Sequence, residues 1–176
     1  MWFHFRFFWC KKTKQYKTKT QCNTNENPKN RQSLDMNQKT LVFTSFLFFG
    51  TCLFCLVHTR YRLLTKMEEF LFVSLLIQTL LSVVFWTNPD PPYSLRHKID
   101  AIFVKINAIT FSSFLILFKP LYLHIRFSAI LFFIISLFCF YQSNKYSHES
   151  WCCNKHIFWH IWAHIFTSIS VSYAFL

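Results

Sequence analysis

The chain has 176 residues and a formal net charge of +12; it is 53% hydrophobic and 21% aromatic, with 24 Phe against a single Gly. So much Phe and Leu in uninterrupted blocks excludes an ordinary soluble domain, and so few turn-forming Gly excludes a many-stranded sheet. The composition predicts an all-α integral membrane protein: a bundle of about five transmembrane helices carrying a disordered basic N-terminal arm.

Residues 1–40 form that arm. The opening run WFHFRFFWC is too short to span, and the following KKTKQYKTKTQCNTNENPKNRQ is polar, basic and turn-rich, as disordered segments are. Charge interrupts the apolar run and no small-residue cleavage site follows, so it does not read as a signal peptide. Met36 opens MNQKTLVFTSFLFF, which looks like an ordinary membrane-protein start. The residues before it are either a dispensable tail, upstream sequence outside the true reading frame, or a cytosolic arm that binds anionic lipid. The arm supplies much of the net charge. Basic residues here flank apolar runs without a recognition motif, so nucleic acid is excluded as a partner and membrane lipid is expected. With the arm counted, the positive-inside rule puts the N-terminus in the cytosol. Without it, Arg60, Arg62 and Lys66 balance Arg96, Lys98, Lys145 and Lys155.

Five apolar runs in residues 41–176 predict spans at 41–57, 70–86, 101–118, 121–141 and 157–176. The protein is therefore expected to be multi-pass, and an endomembrane location is favoured. The third run contains Lys105. Lys119-Pro120 leaves almost no loop between the third and fourth, which predicts a tight hairpin. Asn88-Pro89-Asp90-Pro91-Pro92 breaks the chain between the second and third. Cys52 and Cys55 read as packing residues or palmitoylation candidates. Cys152 and Cys153, adjacent and hard to join without strain, sit beside the last run as possible metal ligands.

The last run opens with His156, His160 and His164 at four-residue spacing, one above another on a single helical face. Ionisable side chains are costly in a span and point to function, and a histidine column suits a metal ion or a proton relay. An aromatic-rich interfacial turn bonded to headgroups is the plainer alternative. Topology extends the set. The end of the second span and the starts of the third and fifth share one membrane face. Ser82, His97, Asp100, His156 and His160 therefore converge, with His97 and Asp100 on one helical face. His58 and His124 fall on the opposite side.

Three histidines with one open position make a hydrolytic zinc site, in which bound water titrates near neutral pH. On this reading His97, His156 and His160 bind zinc, with His164 as alternative third ligand. Asp100 takes the proton or orients the water, and Ser82 helps to stabilise an oxyanion.

His156-Ile-Phe-Trp-His160 resembles the His-x-x-Trp-His signature in the last span of the alkaline ceramidases, whose superfamily includes the progestin/adiponectin-type receptors and the post-GPI-attachment phospholipases. Members are similar in carrying a Ser late in an early span, an Asp in the next and a His pair in the last. Ser82, Asp100, His156 and His160 stand in that order, over residues 70–176. The resemblance implies a membrane-embedded, zinc-dependent hydrolase of lipid amide or ester bonds. Two features depart from it. The family's Ser is usually followed four residues later by a ligand His, whereas here Trp86 follows Ser82, and the family has seven spans where five are read here. The competing expectation is a non-enzymatic scaffold, or a proton or metal conduit lined by the histidines with Lys105 as an intramembrane charge.

Overall fold

A computed structural model describes residues 28–60, 63–87, 94–149, 151 and 153–176, with side chains placed from Lys39 onward. Residues 1–27 of the arm, the Pro-rich loop at 88–93 and Cys152 lie outside the described residues. All regular structure among the described residues is helical. Helix α1 runs Pro28–His58, α2 Lys66–Thr87, α3 Leu95–Ser113, α4 Leu123–Glu149 and α5 Asn154–Ser172. A π-helical turn, Phe114–Phe118, extends α3, and a 3-10 turn, Tyr173–Phe175, extends α5.

Local chemistry explains the ends. Residues 28–40, read as part of the arm, are helical and continuous with the first span, with Pro28 at a helix start where its fixed φ is favourable. Ser94 caps α3 by accepting from the His97 N–H, so α3 starts six residues ahead of its apolar run and takes His97 and Asp100 into its first turns. The π turn stops at Lys119, which is extended (φ −81°, ψ 121°) because the next residue is Pro120. The connection to α4 is short, as expected, but α3 and α4 do not pack together as the predicted tight hairpin: α4 packs chiefly on α5.

Among the described residues, four helical stretches are long and apolar enough to cross a membrane: Lys39–His58, Lys66–Thr87, Leu95–Phe118 and Leu123–His148. Many of their outward residues are apolar, among them Phe43, Leu80, Ile109 and Phe127, as suits a lipid environment. Helix α5, the expected fifth span, carries the three histidines and is not among those four. It packs between α1 and α4, giving the lateral order α3–α2–α1–α5–α4. Lys105 is on the exposed face of α3, away from the inward-facing Asn107 and Phe111, so it does not line the histidine column.

Two cores lie at opposite ends of the bundle. One joins Phe48, Cys52, Leu71, Phe111, Phe114 and Phe175. The other is smaller and joins Leu41, Phe85, Trp86 and Ile157, with Trp151 against them. At the larger core, Lys119 Nζ meets Glu68 Oε1 at 2.6 Å, with Glu68 only 1% exposed. Glu68 also accepts from Thr65 N and Oγ1. The start of α2 is thereby fastened to the short connection between α3 and α4.

Candidate functional site

Ser74, Gln78 and Ser82 repeat every four residues on α2 and face α3. All three are buried. The Ser82 hydroxyl donates to Asp100 Oδ1 at 3.0 Å. Gln78 Nε2 donates to the same oxygen at 2.9 Å and to Ser82 Oγ at 3.0 Å. Asn107, two turns along α3 from Asp100, donates to Gln78 Oε1 at 3.4 Å and accepts from Ser74. Polar groups facing one another across an apolar helix interface pair with each other, and these close into a network. The expected Ser82–Asp100 pair is brought together here. Gln78, Asn107 and Ser74 do not stand out in the sequence as site residues, although the Ser-x3-Gln-x3-Ser spacing marks one helical face.

The histidines occupy the adjoining end of the bundle. Ring centroids are 5.8 Å apart for His156–His160 and 4.7 Å apart for His160–His164, so the column is continuous. His156 and His164 are each 3% exposed. Ser143 Oγ from α4 lies 3.1 Å from His160 Nδ1, and Thr44 Oγ1 from α1 lies 3.2 Å from His164 Nδ1. The one hydrogen of Thr44 goes to the Leu41 carbonyl at 3.1 Å. His164 Nδ1 is therefore the donor to Thr44, and its Nε2 keeps the lone pair.

His97 reaches the same end from α3. Its ring lies 5.2 Å from Phe85 and 5.2 Å from Trp151. Trp151 also packs 5.1 Å from His156. Trp86, one turn beyond Ser82, sets its ring 5.0 Å from His160 and 6.2 Å from His156. Within the described residues, neither Trp86 Nε1 nor His97 Nδ1 has a hydrogen-bond partner, although both are buried. His58 and His124 are exposed at the other end of the bundle, each stacked on a neighbouring ring. Cys153 caps α5, its Sγ accepting from the His156 N–H at 3.4 Å.

The donor set suits zinc in kind: three imidazoles from two helices, one of them with an orphaned buried nitrogen. The side chains do not stand closed around a common point. Among the described residues, no three His, Cys, Asp or Glu already form a group able to hold a metal ion. Indole rings occupy the space between imidazoles, Trp151 touching both His97 and His156. A scan against family models, a search of curated proteins and a search of solved structures each return no match for this chain.

Proposed function

We propose that this chain is a multi-pass membrane hydrolase acting on an amide or ester bond of a membrane lipid, with His97, His156 and His160 holding zinc and His164 as the alternative third ligand. The observation that carries the reading is the Ser82–Asp100 hydrogen bond, one helical turn from the imidazole cluster on both α2 and α3. A half-buried carboxylate beside a buried hydroxyl is the pairing needed to move a proton and to stabilise developing negative charge. When bound, zinc supplies an acidified water molecule.

The chain's own residues divide the remaining work. Asp100 accepts the proton. Ser82 gives its hydrogen to Asp100 in the resting arrangement and turns it to the substrate oxygen as charge develops there. Gln78, bonded to both, keeps Asp100 oriented while Ser82 turns. Asn107 fixes the Gln78 amide by donating to its oxygen.

A second reading has its own support. The histidine column continues beyond the cluster to His164 and Thr44, as a proton or metal conduit requires and a three-ligand site does not. Hydrolysis of ceramides and glycerolipids by the purified protein in detergent, with and without chelator, separates the two. Chelator-sensitive turnover is expected. Protein without turnover, and with a melting temperature indifferent to chelator, favours the conduit or a scaffold.

A further inference from the structure

Lys145, near the end of α4, and Lys155, at the start of α5, converge on one ring. Their Nζ atoms lie 5.8 Å and 5.5 Å from the centroid of Tyr146. The turn that brings them together is fastened from within. Cys153 Sγ accepts from the His156 N–H at 3.4 Å and approaches the Tyr146 carbonyl at 4.0 Å. A third cation reaches the same rim from α3. His97 packs 5.2 Å from Trp151 of that turn, and Lys98, the next residue, is exposed there.

Lys145 and Lys155 are exposed as well. Among the described residues, none of these three ammonium groups meets a carboxylate. Asp100, two positions from Lys98, is turned to Ser82 and Gln78 instead. At the opposite end of the bundle both lysines are neutralised within the chain, Lys66 by Glu69 at 2.9 Å and Lys119 by Glu68 at 2.6 Å. Like charges gathered at the edge of a low-dielectric layer repel one another, and the face of a single tyrosine offsets that only in part. The rim therefore favours an anion from outside the chain.

Depth selects which anion. Lys145 and Tyr146 lie in the last turn of the span-length stretch Leu123–His148. That is the level of lipid headgroups, where Tyr and Trp collect in membrane proteins. The apolar stem of a lysine lies along the helix surface there while its ammonium reaches the headgroup layer. A phosphate at that level belongs to a phospholipid. A zwitterionic headgroup sets its own ammonium against the lysines, whereas a headgroup of net negative charge does not. We propose that Lys98, Lys145 and Lys155 form a rim that binds the headgroup of an anionic phospholipid beside Tyr146. Such binding needs neither metal nor turnover, so it stands apart from the hydrolase reading.

The probe is dibromo-oleoyl phosphatidylglycerol, whose bromines quench tryptophan fluorescence on contact. Full-length protein is reconstituted into phosphatidylcholine nanodiscs holding increasing shares of it. Discs with the same brominated tails on phosphatidylcholine set the unselective level. Phosphatidylglycerol should be preferred, and its preference should fall about five-fold in each of Lys98→Gln, Lys145→Gln and Lys155→Gln, the scale of one lysine at an anionic surface. The remaining basic residues of the chain act alike in every variant, so the ratio between variants reads the rim. Lys66→Gln, at the far end, should leave the preference unchanged, and so should millimolar inorganic phosphate at matched ionic strength. Equal binding of the two headgroups would overturn the proposal. So would a preference that the combined three-lysine variant leaves intact, that Lys66→Gln reduces as much, or that inorganic phosphate removes.

Discussion

Ser82 and Asp100, eighteen positions apart in sequence, are joined by a 3.0 Å hydrogen bond across the α2–α3 interface. Trp86, one turn from Ser82, and His97, one turn from Asp100, carry the same interface up to the imidazoles of α5. Carboxylate, hydroxyl and imidazoles thus occupy successive layers of one bundle end.

That layering predicts how Asp100→Asn behaves. The Asn oxygen still accepts from Ser82 and Gln78, so the network and the melting temperature should change little. The general base is lost, and lipid hydrolysis should fall by about 10²–10⁴-fold. Parallel thermal melts and rate measurements check this. A variant that unfolds, or that keeps full activity, assigns Asp100 a purely structural part.

Gln78 makes three of the network's hydrogen bonds. Gln78→Leu should cost about 1–2 kcal/mol, the upper range for interhelical hydrogen bonds in membranes. Reversible unfolding in mixed micelles measures it. The loss should exceed that of Ser74→Ala, which removes a single bond at the edge of the network.

Glu68 and Lys119 make a buried pair, 1% and 10% exposed at the side chain. Glu68→Gln removes the carboxylate charge that faces the Lys119 ammonium, so it should cost about 3–5 kcal/mol; Lys119→Met leaves Glu68 its Thr65 bonds and should cost less. The double variant Glu68→Met/Lys119→Met should recover much of that loss, since an apolar pair leaves no orphan. Unfolding of all three variants decides whether the pair fastens the α3–α4 connection to α2, or whether the two charges act independently.

Trp86 stands where an imidazole would complete the cluster, 5.0 Å from His160. Trp86→His should raise zinc affinity by about tenfold or more, the scale on which ligand-site changes act on metal binding. A competition titration against a coloured chelator reads it. Affinity equal to that of the unaltered protein would mean that position 86 does not face the ligand set.

Much of this arrangement is legible in the sequence. Hydropathy locates the helices because lipid demands apolar exteriors, and counting membrane faces brings Ser82 to Asp100; His97 shares the end of the α5 histidines but meets Trp151, which stands between it and His156. Helix ends are less legible. Polar turns such as Arg96-His97-Lys98 and Ser143-Asn144-Lys145 are helical here through capping and continuity, which hydropathy does not register. Gln78 and Asn107 are single polar residues in apolar runs, and their partnership depends on the rotation of α2 against α3, which spacing on either helix alone leaves open. The indole rings of Trp86 and Trp151 among the imidazoles arise from tertiary packing in the same way.

Zinc binding by the purified chain tests the central claim most directly. Calorimetric titration of zinc into chelator-treated protein should give one site per chain, lost in His160→Ala and retained in His124→Ala, whose histidine lies exposed at the far end of the bundle. No saturable binding, or a site that His160→Ala leaves intact, would contradict the account.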